Sequence, residues 1–180
     1  MPSTAVVVTG LPAGGKTTVA KHIAAEIGWP LLDKDSFLEE LFTIKEVSSF
    51  DDRRRLSRLS DDAFRRAAAN LNEAVLVSHW RPSIGPQDTG TPPEFITENL
   101  DRIVEVHCVC SIETCVARFQ SRVRHPGHRD KVKSCADIEE QIRSLEDGYP
   151  LGIGLQLSIV TEGQIDYRDL LNELRVAVGI

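Results

Sequence analysis

No apolar run in this sequence approaches the ~20 residues that a bilayer-spanning helix needs. The start, Met1-Pro2-Ser3-Thr4, lacks a basic n-region and leads directly into a strand-like run. A targeting segment is therefore not expected, and a cytoplasmic location is. Paired CxxC spacing is missing too. The cysteines are Cys108, Cys110, Cys115 and Cys135, and three of them fall in an apolar strand-then-helix pattern, which predicts buried free thiols rather than a disulfide or metal set. Positive charge is in deficit: 21 Lys and Arg face 27 Asp and Glu, for a net charge of −6. Nonspecific nucleic-acid binding rests on basic side chains meeting phosphates, so that partner is disfavoured, although a local basic groove stays open. Internal repeats, low-complexity tracts and an interdomain linker are also lacking, and 180 residues suit one domain with one full core.

What is present is an alternation. Ala5-Val6-Val7-Val8-Thr9 is a β-branched run of the kind expected in a strand covered on both faces. Further strands are expected at 31–33, 74–78, 103–110 and 155–161. Between them lie helical patterns at 16–27, 36–44, from Asp51 to Leu71, within 93–100, after Ser111, around Ile138 to Leu145, and at 166–178. Strands alternating with helices predict a parallel sheet with helices on both faces, joined by right-handed crossovers. Residues 80–93 are rich in Pro, Gly, Ser and Thr and read as a loop. Residues 124–134 are basic, contain Pro126-Gly127, and read as a mobile excursion.

The strongest local signal is Gly10-Leu11-Pro12-Ala13-Gly14-Gly15-Lys16-Thr17, a full match to G-x-x-x-x-G-K-[ST] with a strand before it and a helix after it. Gly10, Gly14 and Gly15 let the backbone turn tightly and bring N–H groups up to phosphate oxygens. The following helix adds its free N–H groups and the positive end of its dipole. Lys16 brings a full charge to the β- and γ-phosphates, Thr17 a hydroxyl for Mg2+, and Thr18 a contact for the α-phosphate.

Asp33 and Asp35 follow the second strand, where ligands of a parallel sheet gather. On an extended segment both point into one cleft, Asp33 toward a metal and Asp35 toward the proton of an attacking hydroxyl. The competing possibility is that one or both cap the helix from Ser36. His79, Trp80 and Arg81 end the third strand at the ligand edge and are expected to line the acceptor pocket, with Arg81 the candidate for binding an anionic or polar acceptor group; the alternative is a packed Trp and a surface Arg. Arg118 and Arg122 lie four apart on one helix face, with Arg124 and Arg129 just beyond. Such a basic flap can close on a transferring phosphoryl group and exclude water; otherwise it is a solvated helix face. His125 and His128 lack two further ligands at zinc spacing.

These residues together resemble the small AAA-domain P-loop kinases. The resemblance is carried by the cradle, by Asp33-Lys34-Asp35, and by Arg118-Phe119-Gln120-Ser121-Arg122 followed by Arg124-His125-Pro126-Gly127-His128. The wider group includes shikimate kinase, chloramphenicol phosphotransferase and zeta toxin. The resemblance covers nearly the whole chain. It implies a three-layer α/β/α P-loop NTPase fold with a five-stranded parallel sheet of order 2-3-1-4-5 and a helical lid near residues 118–135. It implies ATP and Mg2+, Ala13 among the nucleotide-binding positions, Asp35 as the acceptor-activating base, Arg118 near the adenine or phosphates, and Arg122 on the transferring phosphate. Ala13 stands where relatives often have Gly. The Asn-Lys-x-Asp guanine reader is absent, which counts against a GTPase. The resulting expectation is a kinase for a hydroxyl of a small molecule. A nucleotide-gated binding module and a polynucleotide 5′-hydroxyl kinase remain as rivals. Neither the acceptor nor the oligomeric state is readable.

Overall fold

β1 (Thr4–Gly10) is buried along its whole length, as a β-branched run between two helical layers must be. Its alternation assigns the layers. Val6 and Val8 pack with α1 (Lys16–Ile27) and α7 (Arg168–Val178) on one face of the sheet. Ala5 and Val7 pack on the other face with Phe64 of α3 (Phe50–Ala69), Ile96 of α4 (Glu94–Asn99), Phe119 of α5 (Ile112–Ser121), and Ile138 and Ile142 of α6 (Cys135–Arg143). The remaining strands are β2 (Leu31–Asp33), β3 (Glu73–Val77), β4 (Arg102–Val109) and β5 (Leu155–Val160). All neighbours pair in parallel, in the order β2-β3-β1-β4-β5. The fold is thus the expected three-layer α/β/α arrangement. The computed structural model describes residues 3–87 and 89–180. No described helix is long and apolar enough to cross a membrane.

Three local expectations are corrected. The helix after β2, α2 (Lys34–Ile44), starts at Lys34 and not at Ser36. Asp33 is its cap, its carboxylate accepting the Asp35 N–H at 3.0 Å, so Asp33 and Asp35 share a helix entrance and not an extended run. Arg122 lies just outside α5 as its C-cap, which breaks the helical spacing from Arg118. Within the 124–134 excursion, Pro126–His128 and Asp130–Val132 form 3-10 turns.

The cysteines are free, but burial is only partly as expected. Cys108 and Cys115 are buried, Cys110 is partly so, and Cys135 is exposed at the start of α6.

Candidate active site

The chain reverses direction across the sheet at β1, and the loop leaving β1 forms the floor of a cleft of about 670 Å³ at the carboxyl ends of the strands. Gly10 has φ 133° and Gly15 has φ 89°, both in glycine territory. A Cβ on Gly10 would also come within 2.7 Å of the Cys108 carbonyl oxygen. Ala13 adopts φ 60°, so the departure from glycine is accommodated in a left-handed conformation that is cheaper for glycine.

α1 differs from every other described α-helix. Its first turn carries no acidic residue and its Gly15 cap makes no side-chain hydrogen bond. The other six each have an acid in the first turn. The N–H groups and positive dipole end of α1 are thereby left for an external anion. Lys16 Nζ donates meanwhile to the carbonyls of Gly10 (2.9 Å) and Leu11 (2.8 Å), and burial pulls its pKa down to about 8. Thr17 Oγ1 donates to Asp33 Oδ2 at 3.3 Å. Burial, followed by the neighbouring Asp35, raises the Asp33 carboxyl above its ordinary pKa. Thr18 also borders the cleft, whereas Gly14 is buried beneath it.

Across the cleft Asp35 is ion-paired with Arg124. Burial acts to raise the Asp35 carboxyl, but Arg124, followed by His128 and Lys34, outweighs that effect and holds it below its ordinary pKa. Asp130 is the second anchor for the flap. It accepts from Arg122 Nη2 at 2.9 Å and from Arg124 Nη1 at 3.4 Å, and the Arg122 guanidinium lies 3.7 Å over the Phe119 ring. Arg122 thus borders the cleft but is held by Asp130. Arg118 Nη2 donates to the Thr161 carbonyl at 2.7 Å, above the entry to α1.

The His-Pro-Gly-His turn clasps α2. His125 stacks on Phe42 and His128 meets its edge, each with ring centroids 5.2 Å apart. His128 Nε2 pairs with Glu39 Oε1 at 2.8 Å, and Arg129 Nη1 donates to the Ser48 carbonyl at 2.9 Å. A Cβ on Gly127 would fall 2.6 Å from the Phe42 ring. Gly127→Ala should therefore cost about 1–2 kcal/mol through overpacking, read as a lowered melting temperature.

Arg81 does not line the cleft. Its Nε and Nη2 donate to the carbonyls of Thr89 and Gly90, both at 3.1 Å, because the chain leaving β3 folds back into a Trp80–Thr91 bridge. Trp80 is fully buried and donates to the Val8 carbonyl at 2.8 Å. Of the three residues expected at the acceptor pocket, His79 alone faces the cleft; Arg53, Asp130 and Lys133, which had been assigned no role, face it too. Arg53 was legible in principle, since it stands three before Leu56 and eleven before Phe64 on the inward stripe of α3. Seven Lys and Arg side chains line the cleft against four Asp and Glu, a basic pocket in an acidic chain. Thr17 and Asp33 offer hard oxygen donors, the type that suits Mg2+ held partly by substrate phosphates.

No family model matches the chain. The shikimate kinase of Paracidovorax citrulli (strain AAC00-1) is 30% identical over 147 residues, spanning 81% of this chain and 74% of that protein. The chain belongs to the small P-loop kinases of the shikimate kinase type. It is a kinase, a phosphotransferase with an alcohol group as acceptor. A crystal structure from Chloroflexus aurantiacus J-10-fl, of a protein assigned as a kinase, is similar to this P-loop kinase over 98% of the chain and 99% of its own, with 28% identity and a TM-score of 0.82. The shikimate kinase of Acinetobacter baumannii in complex with shikimate aligns over 99% of this chain and 94% of its own. At 18% identity and a TM-score of 0.63 that match supports the fold of this small kinase alone.

Proposed function

We propose that the whole chain acts as one kinase domain, with residues 118–135 as its lid, that moves the γ-phosphoryl group of ATP to a hydroxyl of a small anionic molecule. The observation carrying this reading is the basic cleft that joins an uncapped, acid-free α1 entrance to Asp35. On it, Lys16 and the first-turn N–H groups of α1 bind the β- and γ-phosphates, with Gly10, Ala13, Gly14, Gly15 and Thr18 shaping the cradle. Thr17 and Asp33 would hold Mg2+, which neutralises phosphate oxygens when bound. Asp35 accepts the hydroxyl proton as that oxygen bonds to the γ-phosphorus and the bond to ADP breaks. Arg118 holds the nucleotide, and Arg122 leaves Asp130 to meet the charge spread over the transferring group. Arg53 makes no side-chain hydrogen bond or ion pair among the described residues, and its Nε is buried without a partner. An unpaired guanidinium at the acceptor end supports an acceptor with a carboxylate or phosphate.

Radiolabel from γ-labelled ATP should pass, only with Mg2+ present, to at least one member of a panel of shikimate, gluconate and other hydroxylated acids and sugars. Mg·ATP binding in calorimetry with no labelled product from a broad panel would instead leave a nucleotide-gated binding module. A second expectation concerns pH. Lys16 in the free protein loses its proton near pH 8, whereas phosphate contact favours the charged form. Binding must then take up a proton above that pH, so Mg·ATP affinity falls as pH rises through about 8, by up to roughly tenfold per pH unit. Calorimetric constants between pH 6.5 and 9.5 check this, with Lys16→Arg expected to flatten the profile.

A further inference from the structure

We propose that His79 selects the acceptor, its neutral imidazole donating a hydrogen bond from Nε2 to an acceptor oxygen beside the reacting hydroxyl. This rests on the kinase reading above and names a contact that reading does not contain.

His79 stands just past the carboxyl end of β3, in the same cleft as Lys16 and Asp35. Its backbone is fixed. The His79 carbonyl accepts the Thr91 N–H at 2.7 Å, and the Ser78 hydroxyl lies 2.6 Å from that of Thr91. The ring is therefore carried on a rigid element, as a recognition contact should be.

The side chain makes no hydrogen bond or ion pair among the described residues, and its Nδ1 is shielded from solvent without a partner. Nε2 is then the ring nitrogen left with access to the cleft. Burial first, then Lys16 with Lys34 and Arg53, disfavours the imidazolium, while Asp35 favours it; the balance brings the pKa down to about 3. The ring is neutral at any working pH and carries one proton. Placing that proton on Nδ1 would bury an unpaired N–H, the rarer and costlier arrangement, so it belongs on Nε2. A ring that resists protonation this strongly is a poor general base, which leaves proton removal to Asp35 and recognition to His79. The matching acceptor is a small polyhydroxy acid: an anionic group for Arg53, a reacting hydroxyl for Asp35, and a further oxygen for His79.

The experiment compares wild type, His79→Leu and His79→Gln in steady-state transfer to the best acceptor of the panel. Leucine should raise the acceptor KM about tenfold, with kcat and the ATP KM within about twofold. Glutamine, which keeps a donor near the Nε2 position, should recover most of that loss. An unchanged acceptor KM in His79→Leu, an equal rise in the ATP KM, or glutamine no better than leucine overturns the assignment. Wild-type transfer with a silent leucine variant removes His79 alone; a wild type that transfers to nothing removes the kinase reading as well. A readout free of acceptor comes from two-bond 15N–1H spectra of histidine-labelled protein, His79 being the signal lost in His79→Gln. It should show the neutral Nε2–H form from about pH 5 to 8. An imidazolium, or the Nδ1–H form, in that range overturns the proposal.

Discussion

Asp35→Asn is expected to lower kcat for phosphoryl transfer by about 10²- to 10⁴-fold while leaving Mg·ATP affinity within about twofold. Asparagine keeps the shape of aspartate and removes its ability to take a proton. Arg124 loses its ion-pair partner on α2 in this variant but retains Asp130 at 3.4 Å, so the flap keeps an anchor. The pairing also makes a prediction about pH. Arg124 favours the charged form of Asp35, so removing that guanidinium raises the carboxyl pKa. The carboxylate must be deprotonated to act as base, so the acid limb of kcat/KM should move to higher pH in Arg124→Gln. Turnover by Asp35→Asn within tenfold of wild type would rule out Asp35 as the base. An acid limb that stays in place would separate Arg124 from it.

The parts of the site that were legible in the sequence are those whose chemistry is local. The cradle needs particular residues at fixed offsets between a strand and a helix, and Gly10, Gly15, Lys16 and Thr17 occupy the places that spacing demands. The sheet order followed from the family resemblance, and the alternation of β-branched runs with helical stripes agrees with it. Asp33 and Asp35 were read as an extended pair because three apolar-to-acidic residues resemble the end of a strand. The Asp33 carboxylate closes on the Asp35 N–H instead and starts the helix there. Arg81 failed as an acceptor contact for a non-local reason: the carbonyls of Thr89 and Gly90 that capture it belong to a returning loop whose path no periodicity encodes. The helical spacing of α3 turns Arg53 inward, but that it and Lys133 meet in one cleft depends on α3 and the 124–134 segment converging there, and convergence of distant segments is what a single sequence does not display.

Replacing Asp61 by Ala should cost about 3–5 kcal/mol of folding stability. Asp61 and Lys34 are 7% and 6% exposed, and their charged atoms lie 3.8 Å apart. Burial raises the Asp61 carboxyl and lowers the Lys34 ammonium, and each group acts on the other to restore its charge. Lys34 Nζ also donates to Ser57 Oγ at 2.6 Å. The same Asp61 oxygen, Oδ1, accepts from Thr91 Oγ1 at 2.7 Å, and Thr91 meets the Ser78 hydroxyl at 2.6 Å. Alanine leaves the buried ammonium without its counter-charge and takes from the Thr91 hydroxyl one of its two partners. At ~2–4 °C per kcal/mol for a chain of this size, the melting temperature should fall by roughly 6–20 °C. Removing both charges is a different matter, because the desolvation cost disappears with them: Lys34→Met combined with Asp61→Leu should be more stable than Asp61→Ala. A melting temperature for Asp61→Ala within ~2 °C of wild type, less than one kcal/mol by the same conversion, would show that the pair contributes nothing net. A double variant less stable than the single would show that the ion pair itself is favourable. The network also spans the acceptor side of the cleft, since Lys34 lies between Asp33 and Asp35 in the chain and Ser78 precedes His79. Asp61→Asn, which keeps an oxygen for Thr91, should therefore raise the acceptor KM more than the ATP KM even at temperatures where it remains folded, because the disturbance passes through Asp35 and His79 and not through the cradle.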